Sequence, residues 1–401
     1  MIVRMIAVGL LGVLMSGAHA CGQTLQWSIE RVDPGTSVPL PRGSSLALAA
    51  DGTPHVLYFF QSPSGSELRH ATKSGATWLI ETVDTFPRIG DRTAVSIDSG
   101  NGIHIVYNYL NSGGSGGQVR YGVLGASGWQ LQDVNPVNIA GRLPNMTLDA
   151  NDQPRLTFID NGGTLFATHY ATLNGQSWSI ETVGPTGLYG FTGWDLAADS
   201  AGTPYVAGRI GSTLYVATRS TGGVWSLENA GRGGHEASIV LDGSGNPMVG
   251  SAVLNDDDLR FAAMANGTWT DTIVMHLGPG AKGPSLALDA VDQPRMTFET
   301  DLDGSGRTLV RHAYLEDNQW IVDLVNPDPA IQSATFLVVD ADGFSHVVSA
   351  TENGGVFYAT AYVPEPATLS LLALGATALL KRRRKPCKVG GGPTRRSLPA
   401  A

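Results

Sequence analysis

The chain has 401 residues, enough for a large core, yet only 15% are charged and 51 are glycine. Of its 26 basic and 35 acidic residues, Arg4, eight tail cations and Glu365 lie at the two ends, so residues 21–362 carry a net charge near −17. Such a body repels nucleic acid and anionic lipid. Its only cysteines, Cys21 and Cys387, leave the body no disulfide, thiolate metal site or cysteine nucleophile.

Residues 1–20, "MIVRMIAVGLLGVLMSGAHA", read as a secretory signal peptide. Arg4 is the charged start, residues 5–15 are apolar, and Ala18-His19-Ala20 is a small-x-small cleavage site. Cys21 follows directly, as a lipid anchor requires, but Ala18 stands where lipoprotein signals usually carry a Leu-like residue. The next phrase, "LQWSIERVD" (25–33), has near copies at 78–84 and 178–184, where it closes a longer repeat.

That repeat occurs seven times. Its core phrase, as in "LALAADGTPHVLY" (46–58) and "LALDAVDQPRMTF" (286–298), reads as strand, tight turn, strand. Aligned on one residue per copy, the anchors are His55, His104, Arg155, Tyr205, Met248, Arg295 and His346, spaced by 43 to 51 residues. Six copies carry an Asp six positions before the anchor: Asp98, Asp149, Asp199, Asp242, Asp289 and Asp340; the first has Ala49. Gly, Asn or Asp fills the position three before the anchor, as a left-handed turn requires, and the Asp carboxylate is expected to accept turn N–H groups. Six copies of one acid at one turn point to folding rather than catalysis.

A third strand follows each pair, and a fourth begins at Trp78, Trp129, Trp178, Trp225, Trp269 and Trp320. Trp27 is the seventh member of this series. A tryptophan so regular is expected to pack in the core, and a fully buried one would cost about 3–5 kcal/mol on truncation to Ala. Four strands per repeat are the blade of a β-propeller. Six repeats are complete and the last lacks its outer strand, which is present once at 26–33. The expectation is therefore an all-β, seven-bladed β-propeller over residues 22–362, closed by strand 26–33 pairing with the C-terminal blade. The turns before the fourth strands, such as "SGATW" and "NGQSW", resemble the Asp-box of sialidase-like propellers without its Asp, whose place is taken by Lys73 and Leu173. The resemblance supports a propeller and not sialidase activity.

On propellers the variable loops of one face carry function. The blade-joining loops place Arg42, Arg92, Arg142, His235 and Lys282 just before the innermost strands, with Trp194, Asp91 and Glu236 among them. Arg42, Arg92, Arg142, Trp194, His235 and Lys282 are the candidate ligand-binding residues, suited to an anionic polysaccharide; the alternative is that they pair with neighbouring acids and plug a narrow channel. Arg69, Arg120, Arg260 and Arg311 repeat at one depth and are expected to pair between blades. No catalytic residue is assigned. A glycan hydrolase or lyase would draw on His235 and Glu236, but adjacent strand positions face opposite ways. The loop "DLDGSGR" (301–307) is similar to a calcium loop, with Asp301, Asp303 and Ser305 as ligands; a solvated hairpin is the alternative. No other cofactor is expected. "GGSGG" (113–117) matches a serine-hydrolase string but sits in a Gly-rich hairpin, not between a strand and a helix.

The tail "VPEPATLSLLALGATALLKRRRK" (363–385) has Pro364-Glu365-Pro366, a 14-residue apolar run and five basic residues. The run is short for a permanent span, and the basic cluster stays cytoplasmic. The segment resembles the PEP-CTERM sorting signal of Gram-negative and related bacteria. The resemblance implies recognition by an exosortase-type enzyme, transient membrane anchoring, and delivery to the cell surface or exopolysaccharide. Residues 386–401, a basic and Gly-rich tail, continue where such proteins normally stop. The expected role is a binding or structural module for glycan or a surface protein.

Overall fold

Alternating apolar residues bounded by turn residues make strands, and among the described residues every regular element is one. The computed structural model describes residues 25–33, 43–62, 65–110, 117–136, 139–160, 166–184, 191–234, 236–253, 258–276, 282–300, 309–326, 335–350 and 355–362. The expected signal peptide 1–20, Cys21 and the apolar run 367–380 lie outside these residues. Among the described residues no helix is long and apolar enough to cross a membrane.

Seven four-stranded antiparallel sheets form the blades of a β-propeller. Blades 1 to 6 span 45–86, 88–133, 141–182, 192–232, 236–276 and 282–326. Blade 7 takes three strands from 336–362 and its outer strand, Gln26–Asp33, from the other end of the chain. Adjacent innermost strands pack around the whole ring, including blade 1 against blade 7. The core is divided into seven apolar wedges, one at each junction between neighbouring blades.

The repeated turn forms as its residues require. The Asp98 Oδ1 accepts the Gly100 and Gly102 N–H groups at 2.8 and 2.6 Å, and Asp149, Asp199, Asp242, Asp289 and Asp340 do the same in their blades. The residue three before each anchor is left-handed in every blade, from Gly52 to Gly343. Where it is Asn101, Asp152 or Asp292, its side chain also reaches back to the preceding turn, accepting from the backbone of Ala50, Ser99 or Gly243.

The tryptophans pack between blades rather than within them. Trp78 meets Tyr358 edge-on at 5.4 Å, Trp129 meets His70, Trp178 meets Tyr121, Trp225 meets Tyr170, and Trp320 meets Phe261. Trp27 closes the series on His312 at 5.3 Å. Such pairs add roughly 0.5–1.5 kcal/mol beyond their buried area. All seven pack against the core wedges, as expected; Trp225 is buried, at 6% exposed, and the other six are half-buried because the outer strand keeps one side in solvent.

A polar clasp repeats beside these aromatics. Asp84 on the outer strand of blade 1 accepts from the Tyr107 hydroxyl and from Arg120 Nη1 (2.9 Å) of blade 2. Asp33 on the N-terminal strand accepts from the Tyr58 hydroxyl (2.8 Å) and Arg69 Nη1 (3.0 Å) of blade 1. The matching phrases at 29–33 and 80–84 thus do the same work. The expectation that strand-three arginines pair between blades holds for Arg69 and Arg120 only. Arg260 bonds Asp258 and Asp271 of its own blade, and Arg311 bonds Thr300 of its own. The difference follows from the preceding outer strand, which carries Asp33 or Asp84 beside Arg69 and Arg120 but Gly231 or Met275 at the matching position before Arg260 and Arg311.

Two outcomes are expected. Trp27→Ala should cost about 2 kcal/mol, below the value for a fully buried tryptophan. The loss should appear as faster amide exchange in strands 26–33 and 356–362 before the rest of the ring. The second concerns acid. Burial, with His70 beside it, lowers the His55 pKa to about 4, and burial, with Arg295 beside it, lowers that of His312 to about 3. Both imidazoles are neutral in the fold and take up a proton more readily when unfolded. Their contribution is complete above the ordinary value of 6.5 and is lost as pH falls toward 4 and below. The thermal midpoint should stay level above that value and fall below it, and His55→Gln should reduce the slope.

Candidate functional site at the channel mouth

The inner strands begin earlier than the sequence suggests. Arg92 and Arg142 lie inside Arg88–Ile97 and Gly141–Leu148, Trp194 lies inside Thr192–Ala198, and Lys282 opens Lys282–Leu288. Each of these strands breaks register near its start, between Ile89 and Thr93, Arg142 and Asn145, Gly193 and Asp195, and Lys282 and Ser285. Such bulges leave residues out of the ladder and re-aim side chains. Arg92 and Trp194 fall within these breaks, and Arg142 and Lys282 stand at their edges. Arg42, His235, the calcium-loop residues Asp301, Asp303 and Ser305, and Pro364, Glu365 and Pro366 lie outside the described residues. Among the described residues no three His, Cys, Asp or Glu side chains gather as a metal site.

Asn108 holds the first bulge. Fully buried, it accepts the Asp91 and Arg92 N–H groups at Oδ1 (3.0 and 3.2 Å) and donates from Nδ2 to Asp91 Oδ2 (3.2 Å). Its backbone runs so close to Gly90 that any Cβ there would lie 1.7 Å from the Asn108 carbonyl oxygen. Asp91 in turn receives both arms of the Arg142 guanidinium, across the junction of blades 2 and 3. The next residue, Leu143, is left-handed at φ 49°, a strained state for a branched side chain. A lone Asn in the apolar run "IHIVYNYL" (103–110) is the sequence signal that marks Asn108.

Asp195 lies deeper, on the inner strand of blade 4. It is partly exposed by area, yet its carboxylate is gripped from both sides. Asn145 Nδ2 of blade 3 donates to it, as do Ser238 Oγ and the Ile239 N–H of blade 5, both at 2.9 Å. Burial pushes the Asp195 carboxyl up, and the Arg92 charge opposes that rise most strongly, followed by the Ile239 and Leu196 N–H groups and Ser238. The motif continues around the ring: Ser238 Oγ accepts the Leu286 N–H and Ser285 Oγ accepts the Leu337 N–H. Side chains of one blade thereby satisfy the inner edge of the next.

Among the described residues, the mouth is therefore polar, with its charges largely matched. Arg142 answers Asp91, and Arg92 acts on Asp195. Glu236 opens the inner strand of blade 5, and its Oε2 would lie 2.9 Å from a Cβ at Gly283 of blade 6. Arg69, Arg120, Arg260 and Arg311 are held in the blade walls and do not converge on a common ligand.

The PEP-CTERM protein-sorting motif matches residues 363–385. No curated protein matches the chain. Among solved structures, a catalytically inactive virginiamycin B lyase from Staphylococcus aureus, solved with quinupristin, is 11% identical with a TM-score of 0.55, covering 84% of this chain and 99% of that one. The polysaccharide lyase Uly1 is 11% identical with a TM-score of 0.50, covering 86% and 94%. A Hadza microbial sialidase is 10% identical with a TM-score of 0.44, covering 79% and 64%. At such identities the likeness concerns the fold alone. The motif is the recognition signal for exosortase-type processing and indicates an exported protein. The chain is thus a seven-bladed β-propeller that carries a PEP-CTERM sorting motif at its C-terminal end.

Proposed function

We propose that the protein is delivered to the cell surface or exopolysaccharide and binds glycan there through its channel mouth, with Arg42, Arg92, Arg142, Trp194, His235 and Lys282 as the contacting set. The observation that carries this reading is the row of bulges. Blades 2, 3, 4 and 6 spend ladder hydrogen bonds at one level, and blade 3 tolerates a left-handed Leu143. Folding of the ring alone requires none of these irregularities. The matched Asp91–Arg142 pair presents both donors and acceptors, so the mouth suits a sugar chain carrying hydroxyls and occasional carboxylates. Transient anchoring by 363–385 would hold the propeller at the membrane until the tail is processed. A calcium ion on Asp301, Asp303 and Ser305 is a further element of this proposal. The second reading, a hydrolase or lyase centred on His235 and Glu236, is separated from binding by turnover.

Two experiments test the proposal. On an array of acidic and neutral bacterial polysaccharides, the intact protein should bind at least one acidic chain. That signal should weaken about tenfold in Arg92→Ala, for the loss of one desolvated charge contact. Binding indifferent to Arg92→Ala and Arg142→Ala would remove the mouth from consideration, and product formation that dies with Glu236→Ala would replace binding by catalysis. In the native host, replacing Pro364, Glu365 and Pro366 together by Ala should leave the protein unprocessed in the membrane fraction; unchanged processing and surface display would contradict the sorting route.

A further inference from the structure

A polar cleft of about 210 Å³ lies between blades 3 and 4, lined by Arg155, Tyr170, Thr172, Ser179, Glu181 and Arg219, with Gly202 and Pro204 as its wall. These residues belong to the Asp-turn and Trp-turn ends of the strands, on the face opposite the channel mouth. The cleft is thus separate from the proposed glycan site and does not rest on it.

A glycine in the repeated turn leaves the cleft open, though Gly52, Gly245 and Gly343 hold the same position in other blades. At the first, second and fifth junctions the left-handed turn residue is Asn101, Asp152 or Asp292, which ties the turn to the preceding blade. In blade 4 that residue is Gly202, at φ 81°. A Cβ there would lie 3.6 Å from Asp149 Oδ2 and 3.8 Å from Arg155 Nη2, so the turn stops short and Arg155 is uncovered. Gly343 stands similarly near Arg295, but there Arg295 is taken up by Ser345 of the next blade.

The pairing of Glu181 also departs from its neighbours. Glu81 and Glu228, at the same outer-strand position, accept the indole N–H of Trp129 and Trp269 from the next blade. Glu181 turns instead to Arg219, whose Nη2 donates to Oε2 at 3.2 Å, and among the described residues the buried Trp225 N–H has no partner, as at Trp27, Trp78 and Trp178. Trp225 packs edge-on against Tyr170, a cleft residue. Both arginines bear on the Tyr170 hydroxyl: they oppose the rise that burial gives its pKa.

The chemistry selects the ligand class. Arg155 is neutralised by Asp149 at 2.6 Å and Arg219 by Glu181, so the cleft is electrically balanced. A free anion would gain from the arginines but lose roughly as much, about 4 kcal/mol per charge pair at 4 Å near a surface, to the two carboxylates. A neutral polyol meets no such opposition. Spare guanidinium N–H groups donate, carboxylate oxygens accept, and the Tyr170, Thr172 and Ser179 hydroxyls do either. The volume is that of about seven waters at ~30 Å³ each, below the usual range for drug-sized sites, and suits one sugar ring. The geometry points to a binding subsite for a single neutral sugar unit, held between blades 3 and 4 by Arg155, Glu181 and Arg219.

The test uses the intact protein and free monosaccharides as probes: glucose, galactose, mannose, fucose and xylose, with acetate and inorganic phosphate as anionic competitors. Saturation-transfer NMR and calorimetry should show saturable binding of at least one neutral sugar. Gly202→Asn keeps a residue type that the same turn accepts at Asn101, and fills the cleft; it should weaken that binding about tenfold or more with an unchanged thermal midpoint. Arg142→Ala should leave it intact, which separates this site from the channel mouth. Absence of any sugar binding, tighter binding of acetate or phosphate than of every sugar, or sugar binding that survives Gly202→Asn would each overturn the assignment.

Discussion

A closed ring of sheets has no free edge only if its last blade is completed, and here everything depends on strand Gln26–Asp33 joining the C-terminal three. An unpaired strand edge invites association with other chains. The join is made by the devices that hold ordinary junctions. Asp33 clasps Tyr58 and Arg69 as Asp84 clasps Tyr107 and Arg120, and Trp27 meets His312 as Trp178 meets Tyr121. The closure is therefore an ordinary blade junction whose two halves happen to come from opposite ends of the chain. It is also the contact with the greatest sequence separation, and so the one whose loop-closure entropy is largest.

The unit of stability is the junction, not the blade. Each junction combines an apolar wedge, an outer aromatic contact in all but one case among those described, and a hydrogen bond from the inner edge of one blade to a side chain of its neighbour in several. The three lie at different distances from the axis, so the blades are fixed in tilt as well as spacing. This rigidity leaves room for irregularities at the margins. At the channel mouth, bulges lift residues out of the ladder while Asn108 keeps the displaced backbone satisfied and Asp195 ties the inner edge of the next blade. At the opposite face, a cleft opens beside the glycine turn at Gly202.

Charge is handled locally throughout. The body carries a large negative excess, yet the arginines described here each find an acid or a hydroxyl nearby. The surplus acids stand at the turns, where backbone N–H groups hold them. This arrangement matters for recognition. Among the described residues, Arg142 at the mouth is already partnered, which under the proposed function favours directed hydrogen bonds over net field, and the cleft at Gly202 is fully balanced.

The strand, turn and tryptophan periods alone determined the blade count, the left-handed turn positions, the Asp-capped turns and the closing strand. These are local: an Asp six before the anchor caps its own turn whatever surrounds it, and period-two alternation builds the same sheet in any context. The sorting motif was equally legible, because its three parts adjoin in sequence. Tertiary structure decided the rest. That Arg69 and Arg120 reach the next blade while Arg260 and Arg311 stay home depends on which outer strand carries an acid at the right height. The half-burial of Trp27, the grip on Asp195 from two blades and the cleft left by Gly202 depend on how far neighbouring sheets approach. Sequence spacing reports what happens along a strand, and these features arise between strands that only the closing of the ring brings together.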